Sequence, residues 1–445
     1  HQSAMKINII CFKEPYLCKV CKRIVNKKCI YCHKVSKKLI SGTLIRKLIL
    51  KKLKVPDIYM RKSILCLLKP NLIFSIIRSF FLILAINIKI IYLKYKNKKI
   101  IFFYYPSKQL AKPANYIEYL FHDFGKDFAI FFGFNSQNIV GDKNHYYIKY
   151  GFLKWIYNVD IFIDNMCVDV FTNKSIKIFM HHDIYDTPLV NITKEKELFE
   201  RMIKYDFLFL SNKKNINMFK NFFDKYNSVL NNTIPKTIES GYVKLDYLKK
   251  NINKIDLKNN NVVIAPTTHL GFNELSLFHN LEQIIENLLK YTSSKIIFRP
   301  HPVNRKTETT LKIKSIFKDN KNFNFDESND YFHTYLNSVC LISDVSGTAY
   351  TYAFLTKKPV IFFSTNEKLV NKLDYDKLAY FKDRNKVGVV VNNLKEMQEA
   401  IINIHSIQEE KKISIDILEK EMNYLGNSKS RIKEIINQIV ENKCN

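Results

Sequence analysis

The sequence has few glycines and prolines and a single tryptophan: 10, 11 and 1 of its 445 residues. It contains neither of the glycine-rich phosphate loops, G-x-G-x-x-G after a first strand or G-x-x-x-x-G-K-[S/T]. Those loops depend on glycine because the backbone must approach the phosphate closely. Their absence argues against NAD-dependent and P-loop enzymes.

Acidic residues are scarce in the first hundred positions. This region holds 24 Lys and Arg, with Glu14 and Asp57 as its acids, so +22 of the net charge of +30 lies there. A basic arm of this kind binds polyanions, either an anionic membrane surface or nucleic acid.

Long uncharged runs are also absent from this region. The longest one in the apolar segment 71–93 is 79–88, which is ten residues, whereas a spanning helix needs about 18. Segment 43–54 combines apolar and basic residues at helical spacing. We therefore expect residues 41–97 to form basic amphipathic helices on anionic lipid, with nucleic acid ranked below lipid. The alternative is that the second helix packs on the protein's own core.

Cysteines cluster in residues 5–40, where two C-x-x-C pairs occur: Cys18 with Cys21, and Cys29 with Cys32. Two such pairs can hold one structural Zn2+ through four thiolates. The alternative is free thiols in a lysine-rich arm. We expect no cleavable export signal, because the apolar segment follows seventy residues of basic chain. A reducing cytoplasm is therefore favoured over disulfides.

From residue 98 onward, short apolar runs alternate with helical segments. The runs are 99–105, 127–134, 159–165, 175–182 and 206–212, then, after a Lys/Asn-rich linker at 251–261, 262–266, 294–300, 338–344, 358–363 and 386–391. This alternation predicts parallel sheets with helices on both faces. We expect an α/β protein with two doubly wound Rossmann-like domains facing a cleft, residues 98–250 and 251–445.

In such sheets, ligands bind beyond the carboxyl ends of the strands. The polar residues at those ends are His181, His182, Asp183, Thr267, Thr268, His269, Arg299, His301, Asn304, Asp344, Ser346, Gly347 and Thr348. Arg299 offers a planar fork to phosphate oxygens, and residues 346–348 begin a helix with free N–H groups. The pattern predicts an anion site. Plain helix capping by Asp344 or Ser346 and turn capping by His301 are the alternatives.

Several segments, in order, resemble the CDP-glycerol glycerophosphotransferases, the family of teichoic-acid primases and polymerases. "FRPHP" and "LISDVSGTAYTYAFLTKKPVIFF" are similar to the R-x-H-P and (T/S)-D-Y-S-S signatures of that family. "ESGYVKLDYL" resembles its G-Y-P-R-x-D segment and "IAPTTH" its A-P-T-W-R segment, while "FMHHDIYDTP" occupies the place of W-H-G. The resemblance covers about residues 98–400.

This resemblance implies a GT-B fold, with a nucleotide donor in the C-terminal half and the acceptor in the N-terminal half. His182 would be the base that deprotonates an acceptor hydroxyl, with His181 the less favoured register and Asp183 also on the acceptor side. His301 is expected to be catalytic together with His182 and to help hold the donor diphosphate. The other residues implied around the donor are Arg299, Asp344, Ser346, Gly347, Thr348, Thr267 and Glu367, with Glu367 at the ribose. No catalytic cofactor is implied, because side chains and the helix dipole would neutralise the leaving group.

The chain departs from the family's pattern at several positions. Asp183 stands in place of Gly, Gly347 in place of the second Ser and Val345 in place of Tyr, and the Trp and Arg of A-P-T-W-R are missing. The transferred unit is therefore left open between glycerol phosphate, ribitol phosphate and a related unit, including a Kdo-type sugar from a CMP donor. Further alternatives are a UDP-GlcNAc 2-epimerase-like enzyme and a non-catalytic nucleotide- or nucleic-acid-binding protein.

The expected protein is a transferase on the inner face of the bacterial plasma membrane. Its donor would be a cytidine nucleotide such as CDP-glycerol, and its acceptor a lipid-linked or oligosaccharide chain of a teichoic-acid-like or capsular polymer.

Overall fold

The computed structural model describes residues 16–18, 24–25, 37–39, 70–105, 114–125, 127–134, 144–185, 195–230, 233–252, 261–268, 274–328, 331–364, 366–372 and 378–441. The chain divides into two units, residues 1–85 and 86–445.

The first unit contains a small antiparallel sheet. Its strands are β1 (Tyr16–Cys18), β2 (Ile24–Val25) and β3 (Lys37–Leu39), in the order β2-β1-β3. Cys21, Cys29, Cys32 and the helix predicted at 43–54 lie outside the described residues. The described part of the chain holds no cluster of His, Cys, Asp or Glu that could bind a metal ion.

One long helix, α1 (Pro70–Tyr95), covers the apolar segment and confirms the helix predicted at 71–93. Among the described residues, no helix has both the length and the apolar content needed to cross a bilayer. Ile86 and Ile90, in the C-terminal third of α1, are buried. This part of the helix therefore packs on the protein, as the alternative reading predicted.

Two polar side chains fix the C-terminal part of α1 against the second unit, to which it belongs. The Asn87 amide donates to the carbonyl of Trp155 at 2.9 Å. The Lys89 ammonium donates to Asn144 Oδ1 at 2.8 Å and to the Tyr146 hydroxyl at 3.0 Å. Lys89 belongs to the segment 41–97 that the sequence analysis assigned to a lipid surface, but its ammonium bonds to the protein.

The sheet of the first α/β half has seven parallel strands in the order β10-β9-β8-β7-β4-β5-β6. Its central strand, β4 (Lys99–Tyr105), is almost entirely buried, and strands covered on both faces read as continuous apolar runs. The other elements are α2 (Ala114–Phe121), β5 (Phe128–Phe134), β6 (His145–Tyr147), β7 (Ile161–Asp164), β8 (Ile176–Met180), α3 (Glu195–Met202), β9 (Phe207–Leu210), α4 (Lys213–Leu230), β10 (Lys236–Glu239) and α5 (Val243–Lys250).

The sheet of the second half has six parallel strands in the order β13-β12-β11-β14-β15-β16. Its elements are β11 (Asn261–Ile264), α6 (Leu281–Tyr291), β12 (Lys295–Phe298), α7 (Glu308–Phe317), β13 (Phe323–Phe325), α8 (Phe332–Leu336), β14 (Ser338–Ser343), α9 (Thr348–Thr356), β15 (Val360–Phe363), α10 (Glu367–Lys372), α11 (Ala379–Lys382), α12 (Arg384–Val387), β16 (Gly388–Val391), α13 (Leu394–Ile402), α14 (Ile404–Lys420) and α15 (Ser428–Glu441).

The two parallel sheets confirm the predicted α/β class, and each predicted apolar run contains an observed strand. Strands β6, β10 and β13 were not predicted. They are edge strands of three or four residues, too short and too polar for their pattern to stand out from the surrounding loops.

The last helix, α15, packs on the first sheet, although the prediction assigned residues 251–445 to the second domain. Its buried isoleucines Ile432, Ile435, Ile436 and Ile439 share a core with residues of β4 and α2. The Asp246 carboxylate of α5 accepts the N–H groups of Gly426 at 2.6 Å and Ser428 at 2.9 Å, where α15 begins. The chain therefore crosses between the two halves twice.

Candidate functional site

The loop after β8 in the first sheet meets the start of α9 in the second. The Tyr185 ring of this loop lies edge-on to Tyr350 of α9, with centroids 4.6 Å apart. The Tyr185 hydroxyl donates to Asp383 Oδ2 at 2.5 Å. Burial and the Asp383 carboxylate raise the pKa of Tyr185, so its hydroxyl stays protonated and remains a donor. This contact brings the carboxyl ends of strands from both sheets to one place.

Two consecutive histidines follow β8, and their surroundings differ. His181 is buried, and its Nδ1 lies 3.3 Å from the Asn215 amide nitrogen. The His182 side chain is 25% exposed, and its carbonyl accepts a hydrogen bond from the Tyr242 hydroxyl at 2.7 Å. Of these two histidines, His182 is the one that a substrate can reach.

The Asp183 carboxylate lies between His182 and the start of α9. Its Oδ2 is 3.6 Å from His182 Nε2, and the carboxyl group lies against Gly347, the residue before α9. Its charge also acts on His301, where it favours the protonated imidazole. Residues expected on the acceptor side and on the donor side therefore form one cluster.

Asp344, at the end of β14, directs its carboxylate into the protein. Oδ1 accepts the N–H of Thr267 at 2.8 Å, and Oδ2 accepts the N–H of Leu277 at 3.0 Å and the Ser276 hydroxyl at 3.2 Å. Burial raises the pKa of Asp344 to about 6, and these three donors oppose that rise. Asp344 therefore ties together the loops after β11 and β14, and Thr267 takes part through its backbone.

Tyrosine hydroxyls from other elements form hydrogen bonds at the first turn of α9. The Tyr380 hydroxyl donates to the carbonyls of Asp344 and Ser346, both at 3.0 Å, and the hydroxyls of Thr348 and Tyr335 are 2.7 Å apart. Gly347 is the N-cap residue, and no side chain caps this helix. Side-chain capping by Asp344 or Ser346 is thus not what the structure shows. The Ala349 N–H donates to the Ser346 carbonyl at 3.1 Å, and the N–H groups of Gly347 and Thr348 have no bond to a described residue, so they can donate to a ligand.

The Arg299 guanidinium, after β12, is buried and held by the following loop. Nη1 donates to Asp326 Oδ2 at 2.6 Å and to the Ser328 hydroxyl at 2.9 Å, and Nη2 donates to the Ser328 carbonyl at 3.0 Å. Although burial alone would raise it, Arg299 and nearby hydroxyls hold the pKa of Asp326 below its ordinary value. These bonds use three of the five N–H donors that a guanidinium carries.

His301 is a neutral imidazole with a defined tautomer. Burial lowers its pKa to about 4, and the cationic charges of Arg305 and His182 act in the same direction. Its Nδ1 accepts the N–H of Val303 at 3.3 Å, so the proton lies on Nε2. His301 thus caps the turn that follows, as one alternative predicted, and still has an N–H to offer on its other nitrogen.

Two cations near this cluster were not singled out from the sequence. Arg305 donates to the Ser328 carbonyl at 2.7 Å, and burial together with nearby Arg299 lowers its pKa. The Lys244 ammonium lies 5.1 Å from the centroid of the Tyr331 ring, and the Arg299 guanidinium lies 5.7 Å from that same centroid. Within the described residues, Lys244 has no carboxylate bonded to it. Lys244 could have been identified from the sequence, because it occupies the position of Arg in the G-Y-P-R-x-D segment. No motif in the sequence points to Arg305.

Glu367, expected at a ribose, already has protein partners. Its two carboxylate oxygens accept from Arg384 Nη1 at 2.7 Å and Nη2 at 3.0 Å, and the Ser364 hydroxyl donates to it as well. A ribose hydroxyl would therefore share this carboxylate with a bidentate guanidinium.

Comparison with known proteins gives one family match that covers most of the chain. Residues 85–441 match the model described as CDP-Glycerol:Poly(glycerophosphate) glycerophosphotransferase. Residues 1–70 match a model described as ATP-sulfurylase, a segment that contains none of the site residues above. No curated protein sequence matches the chain.

Solved structures share the fold at low sequence identity. A structure of the wall teichoic acid polymerase TagF is 18% identical, with a TM-score of 0.54 over 83% of this chain and 99% of that chain. A putative UDP-N-acetylglucosamine 2-epimerase from Listeria monocytogenes is 11% identical, with a TM-score of 0.54 over 78% of this chain and 97% of that one. These likenesses show the fold, and the family match over residues 85–441 shows that the chain belongs to the CDP-glycerol:poly(glycerophosphate) glycerophosphotransferase family.

Proposed function

We propose that the protein transfers a glycerol phosphate, ribitol phosphate or related unit from a cytidine nucleotide donor to a lipid-linked or polymer acceptor. The observation that carries the proposal is the meeting of His182 from the first sheet with Gly347 and His301 from the second, through Asp183. A base and an anion site must lie this close for an acceptor hydroxyl to attack a bound phosphate.

In the proposed step, His182 takes the proton of the acceptor hydroxyl, and the oxygen attacks the donor phosphorus that carries the polyol. A new P–O bond to the acceptor forms, and the P–O bond to the CMP phosphate breaks and leaves its electron pair with CMP. The Nε2–H of His301 and the N–H groups of Gly347 and Thr348, at the start of α9, then donate to the phosphate oxygens.

The charge at this site favours an anionic donor. Arg299, Arg305 and Lys244 supply positive charge at the site. Asp326 is paired with Arg299 and also acts on Arg305, and Asp183 lies near Lys244 and Gly347. Since these cations and the helix dipole can neutralise the leaving group, the proposed reaction does not require a metal ion. The structural Zn2+ predicted for Cys18, Cys21, Cys29 and Cys32 stays a separate proposal about the N-terminal arm.

An exposed apolar face supports a place at the inner surface of the plasma membrane. Ile88, Ile91, Tyr92 and Tyr95 of α1 are exposed, as is Trp155. Cations accompany these side chains, because Lys96 lies 5.9 Å from the centroid of the Tyr92 ring and Lys154 lies 5.8 Å from that of Trp155. Aromatic and basic side chains together suit an anionic lipid surface, where a lipid-linked acceptor would be found.

The donor is tested by calorimetry with CDP-glycerol, CDP-ribitol, CMP-Kdo, UDP-GlcNAc and CMP. We expect the CDP-alcohols to bind more tightly than CMP, because the site has donors for two phosphates. Tight binding of CMP-Kdo with no binding of CDP-alcohols would favour the Kdo-type alternative. Binding of UDP-GlcNAc alone would overturn the cytidine assignment and favour the epimerase-like enzyme.

The roles of the base and the anion site are separated by two variants. His182→Ala should lower kcat at least about 100-fold with donor affinity nearly unchanged, since a general base contributes at this scale. Arg305→Gln should weaken donor binding about 10-fold, because it removes a cation that makes one hydrogen bond in the protein. Isothermal calorimetry and initial rates measure both effects. The reverse pattern would show that the two roles are interchanged.

Protonation of His301 should destabilise the fold. Between pH 6.5 and about 4 the unfolded chain binds a proton at this residue that the folded chain does not, so the free energy of unfolding falls as the pH is lowered. In His301→Gln, the fall in the free energy of unfolding over this pH interval should be smaller than in the wild type by about 2 kcal/mol. Denaturant unfolding at several pH values measures it.

The comparison with wild type is essential, because the raised pKa of Asp344 acts with the opposite sign over the same interval. His405→Gln, which removes an exposed histidine, is the matched control. A His301→Gln variant with the same pH slope as the wild type would contradict the neutral buried imidazole.

Membrane association is tested by flotation with vesicles rich in anionic phospholipid. Changing Ile88, Tyr92 and Trp155 together to serine should move the protein from the vesicle fraction to the dense fraction. Ile402 and Ile413 are exposed isoleucines elsewhere, and changing them to serine is the control. Wild-type protein that stays in the dense fraction would exclude the membrane proposal.

A further inference from the structure

Asp183 and Gly347 lie in direct contact across the site. A Cβ atom built on Gly347 would lie 2.7 Å from Asp183 Cγ, 2.8 Å from Oδ1 and 2.9 Å from Oδ2. Carbon atoms do not approach a carboxyl group this closely. Position 347 therefore cannot carry a side chain while the Asp183 carboxylate stays where it is.

The backbone gives no other reason for glycine at this position. Gly347 has φ −57° and ψ −23°, which is the right-handed helical region that every L-residue adopts readily. Space alone thus explains the glycine, and Asp183 fills that space.

The same carboxylate lies beside the reactive imidazole. Asp183 Oδ2 is 3.6 Å from His182 Nε2, and both side chains are partly exposed to the site, 17% and 25%. At this distance the carboxylate stabilises a protonated imidazole without closing a hydrogen bond to it. Other titratable groups face this carboxylate. They are His301 after β12, Lys244 at the start of α5, whose charge Asp183 stabilises, and the hydroxyls of Tyr116, Tyr242 and Tyr380.

We propose that Asp183 is a positioning residue for His182 and that Gly347, which has no side chain, leaves room for the Asp183 carboxylate. This inference rests on the proposed function. When His182 takes the acceptor proton, the adjacent carboxylate balances the new positive charge, so the proton transfer becomes more favourable. The carboxylate also brings a hydrogen-bond acceptor to the start of α9, where a side chain at position 347 would otherwise stand.

Two positions at which the sequence departs from the pattern it resembles, 183 and 347, are thus in contact in the structure. Asp183 stands where the pattern has glycine, and Gly347 stands where it has serine.

The contact is tested by a double-mutant cycle in thermal stability, which does not depend on any activity. Gly347→Ala should lower the Tm of the wild-type chain, because Asp183 must move. In the Asp183→Gly background the same change should cost less, since the clash is gone and only the N-cap preference for glycine over alanine remains. Equal Tm changes in the two backgrounds would overturn the contact.

The positioning role is tested with Asp183→Asn, which keeps the shape and removes the charge. We expect kcat to fall 10- to 100-fold with donor KM within about twofold. Asp224→Asn, which removes an exposed acid of α4, is the matched control and should leave both constants unchanged. An unchanged kcat in Asp183→Asn would overturn the role.

A readout independent of turnover separates this inference from the proposed function. The imidazole signal of His182, assigned by its loss in His182→Ala, is followed by NMR as the pH is changed. Its titration midpoint should move to lower pH in Asp183→Asn, because the counter-charge is lost. If wild-type protein uses no cytidine donor but this shift and the Tm coupling appear, the proposed function fails while the His182–Asp183–Gly347 arrangement stands. If the midpoint does not move, the pairing itself is wrong.

Discussion

The site depends on a buried carboxylate, Asp344. An ionised carboxylate is costly to bury unless hydrogen bonds compensate for the lost water. Asp344 is compensated by the backbone N–H groups of Thr267 and Leu277 and by the Ser276 hydroxyl, all from the chain that follows β11. This requirement locks the ends of β11 and β14 together, and the end of β14 is where α9 begins. The N–H groups offered by α9 are therefore placed by a residue that has no free oxygen for the ligand.

The cations of the site also differ in role, since some hold the structure and others can bind a ligand. Arg299 uses most of its fork to hold residues 326 and 328, and Tyr331 brings the guanidinium of Arg299 and the ammonium of Lys244 to the same ring. Arg305 and Lys244 are less constrained, since neither has a salt bridge to a described residue. Arg299, which the sequence analysis singled out, thus mainly holds the neighbouring loop in place. Arg305 and Lys244, which it did not single out, have charge available for a ligand.

Much of the fold could be predicted because it depends on local pattern. Apolar runs of five to eight residues with helical segments between them predict parallel strands, and each predicted run contains an observed strand. The edge strands β6, β10 and β13 were missed because an edge strand of three or four residues does not need a continuous apolar run. For α1, the helix was predicted, but its spacing alone could not show that Lys89 bonds to Asn144 and Tyr146. A basic residue beside an apolar face has the same periodicity at a lipid surface and against a protein.

For the site, the sequence by itself determined which strand ends carry polar residues and, through their order, the family. Strand direction is enough for that, because parallel strands deliver their carboxyl ends to one edge. Only the tertiary structure decided which of those residues touch. It turned His181 into the core and His182 toward the site, brought Asp183 against Gly347, and placed α15 on the first sheet. These outcomes depend on side-chain direction and on contacts between segments far apart in the chain, which no local periodicity specifies.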